Sequence, residues 1–131
     1  MIIGIGTDII EIERIKKAIE RRSGLLVKIF TPKERNYCLG RENPWPSFSA
    51  RFAAKEAVMK ALGAGFSQCS FSEIEIRRNH QGKPQIYLSG RALNLAKKQG
   101  INYWHLSLSH NKNHSLAFAI AEKRAVLSKK R

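Results

Sequence analysis

The sequence is short of acidic residues and of cysteine, and it has no long apolar run. Its two cysteines, Cys38 and Cys69, lie far apart and form no Cys-x-x-Cys pair. That excludes a disulfide framework and a paired-cysteine zinc site, and leaves both as reduced, partly buried thiols. No stretch approaches the roughly 20 apolar residues of a membrane span, so no membrane is expected as a partner. The amino end does not resemble a signal peptide: Met1 to Ile5 is apolar, but Asp8 soon interrupts and no basic leader precedes it. A cytoplasmic location is the expectation. Internal repeats and Pro/Gly/Ser-rich linkers are also missing. The 131 residues, 43% of them hydrophobic, therefore read as one globular domain with a modest core. We place that domain at residues 1–122, followed by a basic carboxyl-terminal tail at 123–131.

The scarcity of acid leaves a large imbalance, 24 Lys+Arg against 10 Asp+Glu, for a formal net charge of +14. Such a field draws polyanions and speeds their arrival whatever the fold. A nucleic acid, a phosphate-rich cofactor and a strongly acidic protein all fit, and charge alone does not choose among them.

Met1 to Asp8 reads as a strand, with Gly4 and Gly6 leaving room for close backbone approach. Ile12, Ile15 and Ile19 then recur at helical spacing up to a stop at Gly24, and the opposite side of that helix carries Arg14, Lys17 and Arg21 with Arg22 beside them. Thr31-Pro32-Lys33-Glu34 is a capped helix start, and Gly40 ends that helix. Asn43 to Pro46 reads as a rigid loop, and Ser49 to Leu62 as the strongest helix, stopping at Gly63-Ala64-Gly65. The second half is richer in strands: Ile74 to Ile76, a turn at Asn79 to Gly82, then Gln85 to Leu88. A helix from Ser89 to Lys98 follows, and then a hairpin of Trp104 to His110 with Ser115 to Glu122. The expected fold class is α+β, with helices packed on an antiparallel sheet.

Asp8 falls just past two glycines at the end of the first strand. Taken alone it reads first as a helix cap, which the helix dipole favours, and second as a ligand at a sheet edge. At about 100° per residue, Ala53, Ala54, Ala57, Val58 and Ala61 share one small apolar face, while Glu56 and Lys60 share the other with Phe52. A surface Glu–Lys pair four apart contributes only about 0.2–0.5 kcal/mol. The alternative is a carboxylate and an ammonium aimed at a metal-bound phosphate, since Mg²⁺ takes one or two carboxylates plus substrate phosphates. Spacing leaves both open. His105, His110 and His114 suggest zinc, but His105 and His110 sit on opposite faces of a strand, which weakens a shared chelate. His105 shares its face with Ser107 and Ser109, a row suited to phosphate or ribose and also to plain solvation. Gly63 to Gly65 reads first as a helix terminator, and Gly82-Lys83-Pro84 as a hairpin turn.

Taken together, Gly4-Ile5-Gly6-Thr7-Asp8, Arg14, Phe30-Thr31 with Glu34, and Arg51-Phe52-Ala53-Ala54-Lys55-Glu56-Ala57 with Lys60, Ala61 and Gly63 form a series of blocks. With Gly82-Lys83-Pro84 and His105-Leu106-Ser107-Leu108-Ser109-His110, this series resembles the bacterial holo-acyl-carrier-protein synthase family from about Ile3 to Glu122. The resemblance implies an α+β phosphopantetheinyl transferase fold assembled as a homotrimer, with active sites at the subunit interfaces. It implies transfer of 4′-phosphopantetheine from coenzyme A to a serine of apo-acyl carrier protein, in fatty acid biosynthesis. Asp8 and Glu56 would match the magnesium ligands, and Glu56, Lys60 and Asp8 the catalytic groups. Arg51, Lys60, Gly63, Gly65 and His105 would line the coenzyme A cleft. Arg14, Lys17, Arg21 and Arg22 would match the surface that docks the acidic carrier. The Trp45-Pro46-Ser47 segment, Gln68 to Phe71 and the basic tail match no block and carry no role. The competing reading is a basic nucleic-acid-binding module. Against it, no zinc-finger or RNP-type signature appears, the aromatics form no stacking platform, and Asp8 and Glu56 would repel a phosphate backbone. Nucleic acid is therefore not the expected partner.

Overall fold

The first strand is longer than its apolar run suggests. In the computed structural model, which describes residues 1–126, strand β1 spans Ile2–Glu11 and pairs antiparallel with the last strand, β5, at His114–Glu122. Asp8 therefore lies inside β1, opposite Ala117, and not at a strand end. Nor does it cap a helix: helix α1 (Ile12–Arg21) starts after Glu11, which makes no side-chain cap. The expectation for Asp8 as a cap is thus corrected. Pairing with a distant strand carries the extended conformation past the point where local sequence already shows helical spacing. The amide of Ile12 then donates to the carbonyl of Asn113 at 2.9 Å, which ties the helix start to the turn just before β5.

A short helix that sequence reading missed, α2 (Leu25–Ile29), follows Gly24, whose φ of 84° turns the chain. Helix α3 (Pro32–Leu39) begins as expected: Thr31 and Glu34 each accept from the other's backbone amide. Helix α4 spans Trp45–Leu62, so the expected rigid loop at Asn43 to Pro46 is partly its first turn. Proline there removes only an amide that a first turn leaves unpaired, so it does not break the helix. Gly63, at φ 68°, ends α4.

A 3-10 turn (Phe71–Glu73) leads into β2 (Ile74–Arg78), which pairs with β3 (Pro84–Leu88). Helix α5 (Gly90–Lys98) precedes β4 (Tyr103–His110), and β4 pairs with β5. All ladders are antiparallel, but the strands form two sheets, β1-β5-β4 and β2-β3, where one was expected. Of the expected tail, residues 123–126 continue the chain past β5, and 127–131 lie outside the described residues.

Helix α4 lies on the larger sheet. Its Ala53, Ala54, Ala57 and Val58 are fully buried and Ala61 nearly so, packing with Ala117, Ala119 and Ala121 of β5. Where α4 crosses β1 the two backbones touch. A Cβ on Gly4 would run into the carbonyl of Ala61, and one on Gly6 into the carbonyl of Ala57. A second cluster, of Ile15, Ile29, Phe30, Cys38 and Phe48, fills the space under α1, α2 and α3. Both cysteines are free and buried, and burial pushes the Cys38 thiol up to about 11. Because the helix backbone cannot move away from β1 without opening the alanine seam, Gly6→Ala should cost at least about 2–3 kcal/mol. Urea unfolding monitored by circular dichroism measures this, and a loss below about 0.5 kcal/mol would show that the crossing is not tight.

Candidate functional site

Residues that point to one side of the larger sheet follow from its ladder. Gly4, Gly6, Asp8 and Ile10 of β1 stand beside Ala121, Ala119, Ala117 and Ser115 of β5, on the face that α4 covers. The two glycines bring α4 close at one end, and at Asp8 the same crossing leaves a side chain facing the helix. Glu56 and Lys60 sit one turn apart on α4, on the side away from its alanine seam. The Lys60 ammonium reaches Asp8 Oδ1 at 3.5 Å and donates to the carbonyl of Thr7 at 2.9 Å. Asp8 and Glu56 both line a cavity of about 450 Å³, and Arg14 of α1 stands at its edge. Structure thus brings together the three catalytic candidates of the sequence with the first residue of the basic stripe.

Both carboxyls of the pair are held above their ordinary range. Burial raises the Glu56 carboxyl above its ordinary range, the Asp8 charge raises it further, and Lys60 opposes. Burial raises Asp8 as well, against the charge and hydrogen bond of Lys60 and the amide of Ile9. Two hard oxygen donors crowded together suit Mg²⁺ and not a soft metal. Among the described residues no group of three His, Cys, Asp or Glu side chains converges. A cation held by Asp8 and Glu56 would therefore need oxygens from elsewhere, as a phosphate substrate supplies. The residues fit the ion.

The rest of that cavity is apolar. Ile15, Ala18 and Ile19 of α1, Leu25 and Ile29 of α2, and the rings of Phe52, Phe66 and Phe71 form its walls. The rings pack in sequence, Phe52 on Phe71 at 5.2 Å and Phe66 on Phe71 at 5.1 Å. Phe66 and Phe71 flank and include a segment to which sequence reading assigned no role. No periodicity marks it, and only tertiary packing shows its place. Arg14, Lys17, Arg21 and Arg22 are all exposed, and Arg14 among them lines the cavity.

Other expected members do not face Asp8 within one chain. Arg51 is buried, its guanidinium 4.4 Å from the centre of the Tyr37 ring. It lines a separate basic cavity of about 460 Å³ with Lys33, Arg77, Arg78 and His80, and its Nε has no hydrogen-bond partner. His105 lies on the outer face of the sheet, beside Ile120, and binds Glu122 at 2.8 Å, which Arg124 also approaches at 3.1 Å. His110 shares the rung of Ser115 and Ile10, on the face that carries Asp8. Strand parity, legible in the sequence, separates the two histidines, but only the ladder tells which one faces inward. Gly63 closes α4, and the amide of Gly65 donates to Gln68 Oε1 at 2.9 Å. Arginine guanidinium groups cover one face of two exposed tyrosines, Arg77 over Tyr87 at 3.9 Å and Arg124 over Tyr103 at 3.4 Å.

Comparison with known proteins places the chain in a family. The model of the 4′-phosphopantetheinyl transferase superfamily matches residues 4–121. The chain is 49% identical to a holo-[acyl-carrier-protein] synthase of Moorella thermoacetica over 117 residues, 89% of this chain and 91% of the relative. It is 48% identical to that of Desulforudis audaxviator, over 92% of this chain and 93% of the relative. Among solved structures, the synthase of Neisseria meningitidis superposes with a TM-score of 0.86 at 36% identity, covering 94% of this chain and all of that one. A Bacillus anthracis synthase in complex with CoA (3′,5′-ADP) gives 0.79 at 36% identity, covering 95% and 99%.

The raised carboxyls carry a sign that can be measured. A carboxyl that prefers its proton in the folded state adds stability below its unfolded pKa and loses that contribution as pH rises through the folded value. Without divalent metal, Glu56→Gln should therefore raise Tm at pH 7–8 by roughly 1–3 °C, and the gain should vanish near pH 4. Differential scanning calorimetry across that range checks it, and a lower Tm for the variant at pH 8 would contradict the burial argument.

Proposed function

The chain belongs to the 4′-phosphopantetheinyl transferase superfamily, and from that premise we propose that it transfers 4′-phosphopantetheine from coenzyme A to a serine of apo-acyl carrier protein, as a holo-acyl-carrier-protein synthase of fatty acid biosynthesis. The observation that carries this reading is the pairing of Asp8 and Glu56 in a largely apolar cavity that Arg14 also lines, with Lys60 against Asp8. Coenzyme A has the same division, an anionic diphosphate at one end of its reacting linkage and the long pantetheine arm at the other.

Asp8 and Glu56 would hold Mg²⁺, which when bound neutralises charge on the diphosphate. The chain's own residues do the rest. Glu56 takes the proton of the carrier serine hydroxyl. The serine oxygen then forms a bond to the phosphorus next to pantetheine. The bond from that phosphorus to the bridging oxygen breaks, and adenosine 3′,5′-bisphosphate departs. Lys60, already within 3.5 Å of Asp8, balances charge on the leaving phosphate. The apolar wall of Phe52, Phe66 and Phe71 takes the pantetheine side and excludes water. Arg51, with its unpartnered Nε in a basic cavity, suits a phosphate of coenzyme A, and Gly63, Gly65 and His105 are assigned to the same cleft by family resemblance alone. Arg14, Lys17, Arg21 and Arg22 steer the acidic carrier toward the cavity mouth.

The reading extends to assembly. Arg51 and His105 do not face Asp8 in one chain, so a cleft using all of them draws on a second copy. On the outer face of the larger sheet Ile5, Ile9, Leu116 and Phe118 are 56%, 63%, 41% and 43% exposed, an apolar row of the kind an oligomer interface covers. We assign this face to a homotrimer interface. No helix among the described residues is long and apolar enough to cross a membrane. Coenzyme A as substrate and two free thiols suit a cytoplasmic enzyme.

Incubation with coenzyme A, Mg²⁺ and apo-carrier should add the mass of one phosphopantetheine to the carrier, and Asp8→Ala should reduce kcat by about 100-fold or more while the protein stays folded. In the same assay Arg14→Glu should raise the KM for carrier about ten-fold and leave the KM for coenzyme A within two-fold. A carrier of unchanged mass, or equal losses for both substrates, would retract the respective assignment. For the assembly, sedimentation should give three copies for the parent chain and one for Phe118→Glu, because a charge cannot be buried unpaired in that face. A monomeric parent with full activity would remove the shared cleft.

A further inference from the structure

Lys55 precedes Glu56 on α4 but points the other way, into the protein. Its side chain has no exposure, and neither has that of Glu34, with which it makes an ion pair at 2.8 Å. The same ammonium donates to the carbonyl of Phe71 at 3.0 Å and to that of Ile74. Three donors thus meet three acceptors. Glu34 is engaged in turn: Oε1 accepts the amide of Thr31 at 3.0 Å, and Oε2 the amide of Ile76 at 2.8 Å. One buried cation therefore binds together α4, the start of α3, the 3-10 turn and the start of β2.

Stability alone gives little reason for this arrangement, since apolar residues of similar volume commonly replace a buried ion pair at no loss. What distinguishes it is where the tethers lead. The carbonyl held by Lys55 belongs to Phe71, the central ring of the three that wall the Asp8 and Glu56 cavity. The amide held by Glu34 belongs to Ile76, which lines the basic cavity of Arg51. Lys55 also sits next to Glu56 in the chain, so whatever fixes the turn of α4 at Lys55 fixes the direction of the Glu56 carboxylate.

We propose that Lys55 is a positioning residue for the transfer reaction: through the carbonyls of Phe71 and Ile74 and the carboxylate of Glu34 it holds the aromatic wall against α4 and aims Glu56 into the cavity. The role rests on the transferase reading above. It needs no contact between Lys55 and substrate.

Lys55→Met removes the three donors at similar length, and Lys55→Met combined with Glu34→Gln also removes the charge left behind. In whichever variant is folded, kcat should fall and the KM for coenzyme A should rise, each about ten-fold or more, since small misplacements of reacting groups are costly. Amide exchange at residues 71–76 should quicken by a similar factor while that of α5 stays as in the parent chain. A merely structural lysine would instead lower activity in proportion to the unfolded fraction, with KM unchanged and exchange faster throughout. That result, or kinetic constants within two-fold of the parent in a folded variant, overturns the proposal. An inactive parent chain retracts the transferase reading and this role with it, which the parent control separates from a failure of Lys55 alone.

Discussion

Everything in this chain depends on how near helix α4 can come to strand β1. Gly4 and Gly6 have no side chains to hold the helix off, and the alanines of α4 and β5 fill the seam without bulk. Close approach of backbones is what lets Lys60 reach across to the carbonyl of Thr7 and to Asp8, and what sets Glu56 above the same strand. With ordinary side chains at the crossing, the two elements would stand several ångström further apart and the carboxylates would each face water alone. Small residues here do not signal a weak core. They convert packing into proximity between groups that packing alone would keep apart.

The same sheet is divided by its pleat. One face carries Gly4, Gly6, Asp8 and Ile10 toward α4, and the other carries Ile5, Ile9, Leu116 and Phe118 outward. A strand with period-two alternation can serve both at once, so the residues that build the cavity and those that build the outer apolar row interleave along β1. A one-residue slip of β1 against β5 would exchange the two sets. The ladder of β1 on β5, continuous from Gly4 to Glu11, fixes the register that both faces need.

Much of this was legible in the residues. The alanine face of α4 with Glu56 and Lys60 opposite follows from a 100° turn per residue, and the Thr31 cap from its partner Glu34 three positions on. Alternation from Trp104 to His110 and from Ser115 to Glu122 marked the hairpin. What stayed hidden was non-local. Extension of β1 through Glu11 is imposed by β5 at the other end of the chain, against local helical spacing. Helix α2 is five residues long, too short to show a period. Division into two sheets depends on which strand edges meet, which no single strand records. The place of Arg51 is set by Tyr37 and that of His105 by Glu122, partners that neighbouring residues do not announce.

The charge distribution then has a simple reading. A chain of net charge +14 keeps two of its ten acidic groups crowded beside one lysine, in a cavity where burial raises both carboxyls. In isolation that arrangement is unfavourable, and a stability argument would disperse it. On the proposed transferase reading that cost would fall when a cation binds, since the cation would relieve the carboxylates while the surrounding basic field would attract an anionic ligand. A site of this sign pattern, a small acidic centre within a basic surround, would take up a cation and an anion better jointly than singly. On that reading two separate long-range attractions would join into one binding event, and the crowding of Asp8 beside Glu56 in the free chain would be the other side of that coupling.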